Sequence, residues 1–157
     1  MIAALAVALV LHADFAAGTV LSKTNVYTGC GGKNVSPALR WSNAPASTRS
    51  YVLTVFDPDA PNGGFWHWIA YDVPSTAQAL LANAGARATP PMKFATNGFG
   101  HERYDGPCPP PGPAHHYVFT LYALDVPHAP LANGDAVAST LEGHIVAQAT
   151  LAARYGR

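Results

Sequence analysis

Two loops crowded with proline and three apolar runs constrain this chain most. The runs are SYVLTVF at 50–56, FWHWIAY at 65–71 and HYVFTLYAL at 116–124, all rich in aromatic and β-branched residues. Asp57-Pro58-Asp59-Ala60-Pro61 closes the first run, and Tyr104-Asp105-Gly106-Pro107-Cys108 followed by PPPGPA leads into the third. Proline fixes φ and lacks the N–H that a β-ladder needs, so strands must stop at these loops and the chain must turn rigidly. In the third run Tyr117, Phe119, Leu121 and Ala123 alternate with Val118, Thr120, Tyr122 and Leu124, so both faces are apolar. Such a strand belongs inside a layered structure rather than on its edge. The expectation is a mainly β fold, an antiparallel β-sandwich with a few short peripheral helices.

Weaker signals fill in the rest. Asn133-Gly134-Asp135 is placed to cap a short helix over 136–142 that Gly143 would stop, and period two from Ile145 to Tyr155 suggests a closing strand. The Ala-rich and Leu-rich stretch 76–84 reads as another short surface helix. Residues 1–11 are uncharged and apolar, which suits either a secretory signal ending near Ala13 or a first buried strand; they are too few to span a membrane. A signal would place the protein in the periplasm or outside the cell, while a first strand leaves the cytoplasm open. Without repeats or a linker, residues 14–157 read as one domain. Cys30 and Cys108 lack zinc-ligand spacing, so they are either a disulfide formed after export or two separate thiols.

The 157 residues suffice for one core without a disulfide scaffold. The hydrophobic share of 49% overstates that core, because 29 of those residues are Ala. Nine basic residues balance nine acidic ones. That balance removes the positive surface that nucleic acid would require.

Polar chemistry gathers at the two rigid loops. Asp57 and Asp59 end one strand just before Phe65-Trp66-His67-Trp68 begins the next. On the third strand His115 and Tyr117 share a face, and His116 points to the other. If the loops meet, Asp57, His67, His115 and Tyr117 converge on a small Pro-walled pocket suited to a phosphate or carboxylate. Asp57 and Asp59 would then divide the labour, one capping the turn and the other facing the pocket. The plain alternative is a turn-forming Asp before Pro and a His packed among aromatics.

Catalytic readings find little support. Neither rigid loop carries an HxxxH or HxD spacing that would place two metal ligands on one element, so no metal or other cofactor is expected. Cys108, the one tempting nucleophile, has a proline on either side, which removes N–H donors from an oxyanion hole. Hydrolysis by paired carboxylates would need Asp57 and Asp59 both to leave the sheet.

Asn34-Val35-Ser36-Pro37 with Leu39-Arg40-Trp41, then DPDAP at 57–61, WHW at 66–68, GPCPPPG at 106–112 and HHY at 115–117 together resemble the phosphatidylethanolamine-binding protein family in its bacterial and archaeal branch. The resemblance runs from about residue 14 to residue 157. It implies two antiparallel sheets with a small anion pocket at one end of the central sheet. On the matching positions it makes Asp57 and His67 the pocket's acid and first imidazole, with Ala60, Pro61 and Phe65 as wall. Pro109 and Pro110 match the proline pair of the second loop, His115 the second imidazole and Tyr117 the aromatic two residues on. It also implies a Cys30–Cys108 disulfide.

The family usually carries His-Arg-Tyr where this chain has His115-His116-Tyr117. The replaced Arg reads as structural, pairing with an acid of the DPDAP turn, and with His there the scaffold would loosen above about pH 6.5, the ordinary imidazole value. The function implied is non-catalytic capture of a small anionic ligand, a phosphate ester or phospholipid head group. The alternative is a protein-interaction module inhibiting a protease or kinase through residues 97–113, where Asn97-Gly98-Phe99-Gly100 precedes a polar cluster, His101-Glu102-Arg103.

Overall fold

Three long strands carry the architecture, each built on one of the apolar runs: β3 (Ser50–Asp57), β4 (Phe65–Pro74) and β7 (His115–Leu124). The structure, a computed structural model, describes residues 7–157. Before these strands come β1 (Val10–Ala13) and β2 (Leu39–Ser42); β5 (Ala79–Leu80), α1 (Ala84–Arg87) and β6 (Lys93–Phe94) follow β4. After β7 come α2 (Val137–Leu141) and β8 (Ile145–Tyr155). One sheet has the order β6-β4-β3-β7-β8 and the other β1-β2-β5, with antiparallel pairing throughout.

The period-two pattern sends alternate residues to two cores. Tyr51, Leu53 and Val55 of β3 meet Trp68, Tyr117, Phe119 and Leu121 between the sheets, against Leu11, Leu39, Trp41 and Leu80 of the small sheet. From the opposite face of the large sheet, Val52, Ile69 and Leu124 pack with Leu131, Val137 and Leu141. That second core explains why β7 is apolar on both faces: one looks into the sandwich and the other lies under α2 and the segment before it. Burying one such side chain is worth about 1.5–3 kcal/mol, so the two layers hold β3 and β7 rigidly.

Antiparallel pairing also determines where the loops go. Because β3 runs opposite to both neighbours, its end lies beside their beginnings: Asp57 pairs with Phe65, and Phe56 with both Trp66 and Val118. The DPDAP turn and the proline-rich loop therefore sit at one end of the sheet. Cys30 and Cys108 are joined as a disulfide across 78 residues of sequence, tying the second loop to the 3₁₀ turn Thr28–Cys30.

Near the C-terminus the Asn133 side chain accepts from Ala136 N–H at 3.3 Å, capping the 3₁₀ turn that leads into α2. The chain then passes Gly143 at φ 78° and enters β8. The stretch 76–84 departs from expectation: it holds β5 rather than a helix. Leu80 pairs with Leu39 and is buried in the core, and Asn83 at φ 68° breaks any helix through the segment. Burial of Leu80 outweighs the helix propensity of the alanines around it. Val10–Ala13 pairs residue for residue with β2, from Val10 beside Ser42 to Ala13 beside Leu39; the first six residues lie outside the described ones. No helix among the described residues is long and apolar enough to cross a membrane.

Candidate functional site

Asp57 is the last residue of β3, and its buried carboxylate serves two elements. Its Oδ1 accepts from Asp59 N–H at 2.9 Å and Ala60 N–H at 3.1 Å, which shapes the turn, and its Oδ2 accepts from His115 Nδ1 at 2.7 Å. One carboxylate thus both caps the turn and faces the pocket, so the expected division of labour does not occur. Asp59 instead points outward. Its Oδ2 accepts from both the backbone N–H and Nδ1 of His116, each at 2.7 Å. The backbone N–H of His116 is the first reason the Asp59 carboxyl sits below its ordinary value, and the His116 side chain is the second. Position 116 therefore does contact an acid of the turn. Half of that contact is backbone, however, and persists whatever the charge on the imidazole.

His67 enters from β4, only 3% exposed. Its Nδ1 lies 2.8 Å from the backbone carbonyl of Asp105, and its ring is boxed by Phe65, Tyr117 and Phe99 with centroids at 5.0, 5.1 and 5.9 Å. Burial pushes the imidazole below its ordinary value, against the opposing pull of the Asp105 carbonyl and the Asp57 charge. Tyr117 follows two residues after His115, 1% exposed, and its hydroxyl has no hydrogen-bond partner. Burial, then the charges of Asp57 and Asp59, push that phenol far up, so it stays protonated.

Asp57, Ala60, Pro61, Phe65, His67, Pro109, Pro110, His115 and Tyr117 line one cavity of about 200 Å³, joined by Phe99 and Cys108. All nine residues that the resemblance assigns to the pocket are there. Phe99 is the addition, stacked on Tyr27 at 4.5 Å and edge-on to Phe65 at 4.9 Å. It is reached by a close approach at Gly98, where a Cβ would come within 2.5 Å of the Phe65 ring. An aromatic residue between two glycines was the available signal for Phe99.

The polar cluster at 97–105 is an internal brace. The fully buried carboxylate of Asp105 accepts from Asn34, Asn97 and Arg103 at 2.9 Å each and from His101 at 2.8 Å. Burial alone would raise this acid, but the four hydrogen bonds outweigh it and hold it below the ordinary value. Asp105 thereby fixes the carbonyl that orients His67. Sequence reasoning missed it, because its partners Asn34 and Asn97 are recognisable only after the chain has folded.

No group of three His, Cys, Asp or Glu suited to a metal occurs among the described residues. The cavity instead combines two imidazoles anchored through Nδ1, an unmet hydroxyl, one carboxylate, and proline and aromatic walls. This arrangement can hold a small polar group by hydrogen bonds.

Comparison with known proteins follows the same line. A family model described as phosphatidylethanolamine-binding protein matches residues 12–156. The UPF0098 protein YbhB of Escherichia coli is 37% identical over 151 residues, covering 90% of this chain and 96% of that protein. A UPF0098 protein of Aquifex aeolicus is 41% identical over 137 residues, covering 84% and 80%. The crystal structure of Escherichia coli YbcL, described as a new member of the mammalian PEBP family, superposes with a TM-score of 0.90 at 32% identity, covering 96% of this chain and 99% of that one.

Proposed function

The chain belongs to the phosphatidylethanolamine-binding protein family, and from that membership we propose that its cavity binds a small phosphoryl anion, a phosphate ester or a lipid head group, without catalysis. The observation that carries this reading is the Tyr117 hydroxyl, buried in the cavity wall with no partner. A buried polar atom left unmet costs about 1–3 kcal/mol, and a ligand oxygen would relieve that cost. The two imidazoles present their Nε2 atoms as the remaining ring positions for the same ligand. A cavity of about 200 Å³ is small beside ordinary small-molecule pockets and suits a head group rather than a whole lipid.

The non-catalytic part of the reading is supported by Cys108. It is committed to a disulfide and so is no nucleophile, and no Ser or Thr lines the cavity. The disulfide also favours an oxidising compartment, the periplasm or the exterior, over the cytoplasm.

The test is titration with inorganic phosphate followed by amide chemical shifts. His67→Ala and His115→Ala should each abolish the shifts of cavity residues while leaving the rest of the spectrum folded. Unchanged binding in both variants would remove the assignment.

A further inference from the structure

Two turns meet at the end of the sandwich opposite the Asp57 cavity, and they frame a second cavity. β2 ends at Ser42, and Asn43 at φ 64° begins a turn in which Thr48 N–H donates to the Pro45 carbonyl at 3.0 Å. After β4, Ala77 N–H donates to the Pro74 carbonyl at 2.9 Å, and Trp41 N–H donates to the Gln78 carbonyl at 2.9 Å, which ties the second turn to β2. The cavity measures about 360 Å³, inside the range of about 300–1,000 Å³ usual for small-molecule sites. Tyr51, near the start of β3, lines it, whereas Asp57 at the end of the same strand lines the other cavity, about 20 Å away at the ordinary strand rise.

Four buried side-chain atoms among the described residues have no hydrogen-bond partner in the protein. Tyr117 Oη belongs to the Asp57 cavity and Trp68 Nε1 to a core residue. The other two, Trp41 Nε1 and Thr48 Oγ1, come from residues that line the second cavity. Trp41 is 4% exposed, and its ring is fixed edge-on to Tyr51 with centroids 5.2 Å apart. Buried polar groups are ordinarily met by protein, water or ligand, so two unmet ones at one cavity mark a place for a hydrogen-bonding guest. A single water, with a share of about 30 Å³ in the liquid, is far smaller than the space.

The lining determines the chemistry of that guest. No Asp, Glu, Lys, Arg or His contributes to it, so a charged group would lose its hydration there with nothing to pair with. Beside the two unmet atoms, Ser42, Asn43, Ser75 and Gln78 bring hydroxyls and amides that can both donate and accept, while the indole N–H only donates. A hydrocarbon guest would leave that N–H unmet. Hydroxyls suit all of these partners because each can donate and accept at once, and Pro45 with the Trp41 and Tyr51 rings provides apolar surface for ring C–H groups. We propose that this cavity binds a neutral sugar ring, at a site separate from the anion cavity.

The test follows the indole N–H resonances of the three tryptophans, that of Trp41 being assigned with Trp41→Phe, while the full chain is titrated with glucose, mannose and N-acetylglucosamine. At least one sugar should shift the Trp41 resonance saturably in the millimolar range and leave those of Trp66 and Trp68 in place. Thr48→Val costs the free protein no hydrogen bond, and it should weaken that sugar about tenfold. Asn43→Gly, which suits the left-handed backbone at that position, should weaken it about threefold or more. Saturating inorganic phosphate should leave the sugar titration unchanged. No saturable shift with any of the three sugars up to about 100 mM, a shift no larger than glycerol produces, or undiminished binding in both variants overturns the proposal. Sugar binding abolished by phosphate would place the sugar in the Asp57 cavity and overturn it as well.

Discussion

His67 Nδ1 and the backbone carbonyl of Asp105 lie 2.8 Å apart, and because a carbonyl can only accept, this one bond places the proton of a neutral ring on Nδ1. The carbonyl is itself held in place by the Asp105 carboxylate, which accepts four hydrogen bonds.

The first consequence is spectroscopic. In the ligand-free protein at pH 7.5, the His67 ring should carry its proton on Nδ1, detectable in long-range nitrogen–proton correlation spectra. A ring protonated on Nε2 alone would contradict the geometry. Asp105→Ala should lose this tautomer preference and destabilise the fold by about 3–5 kcal/mol, since Asn34, Asn97 and Arg103 lose a buried charged partner.

Stability should fall with acid in two stages. His67 is held below its ordinary value in the folded chain and protonates near about pH 6.5 when unfolded, so the unfolded state binds more protons as pH drops below that value. Stability present above pH 6.5 is therefore lost progressively toward the folded value. Asp59 and Asp105 are depressed as well, and their contribution disappears only as pH falls below about 4. Denaturant midpoints measured from pH 8 to 3 should show both stages. His67→Phe should flatten the upper one alone; an upper stage that survives in this variant would mean that another group is responsible.

Breaking the Cys30–Cys108 link should cost about 3–5 kcal/mol on a chain-entropy account, given 78 residues between the cysteines. The cross-link ends beside Pro109 on the cavity wall, so the double Cys30→Ser, Cys108→Ser variant should also weaken phosphate binding. Identical urea midpoints for the variant and the oxidised parent would show that the loop is held by other contacts.

Removing residues 1–13 should destabilise the sandwich by about 3–6 kcal/mol. Leu9 and Leu11, each 7% exposed, leave the core, and β2 loses its partner from Leu39 to Ser42. Urea unfolding of chains beginning at residues 7 and 14 compares the two directly, and equal midpoints would make β1 dispensable.

Much of the cavity was legible because its residues announce themselves locally. Asp57 stands at the junction of a β-branched run and two prolines, His67 sits between tryptophans, and period two separates His115 and Tyr117 from His116. Residues 76–84 were misread for the complementary reason: their alanines favour helix locally, and only the space beside Leu39 draws Leu80 into a strand. Phe99 looked like part of a surface loop until its packing on Phe65 and Tyr27 was visible.

The chain's own pattern determined the long strands, the rigid loops and the residue types in the cavity, because alternation and missing proline N–H groups act within a few residues. Tertiary structure alone decided what those residues can do. The antiparallel placement of β3 between β4 and β7 brings the two loops to one end. The Asp105 brace then orients His67, and Tyr117 is left buried without a partner. These are properties of groups distant in sequence, and their hydrogen bonds and desolvation exist only once the sheets have packed.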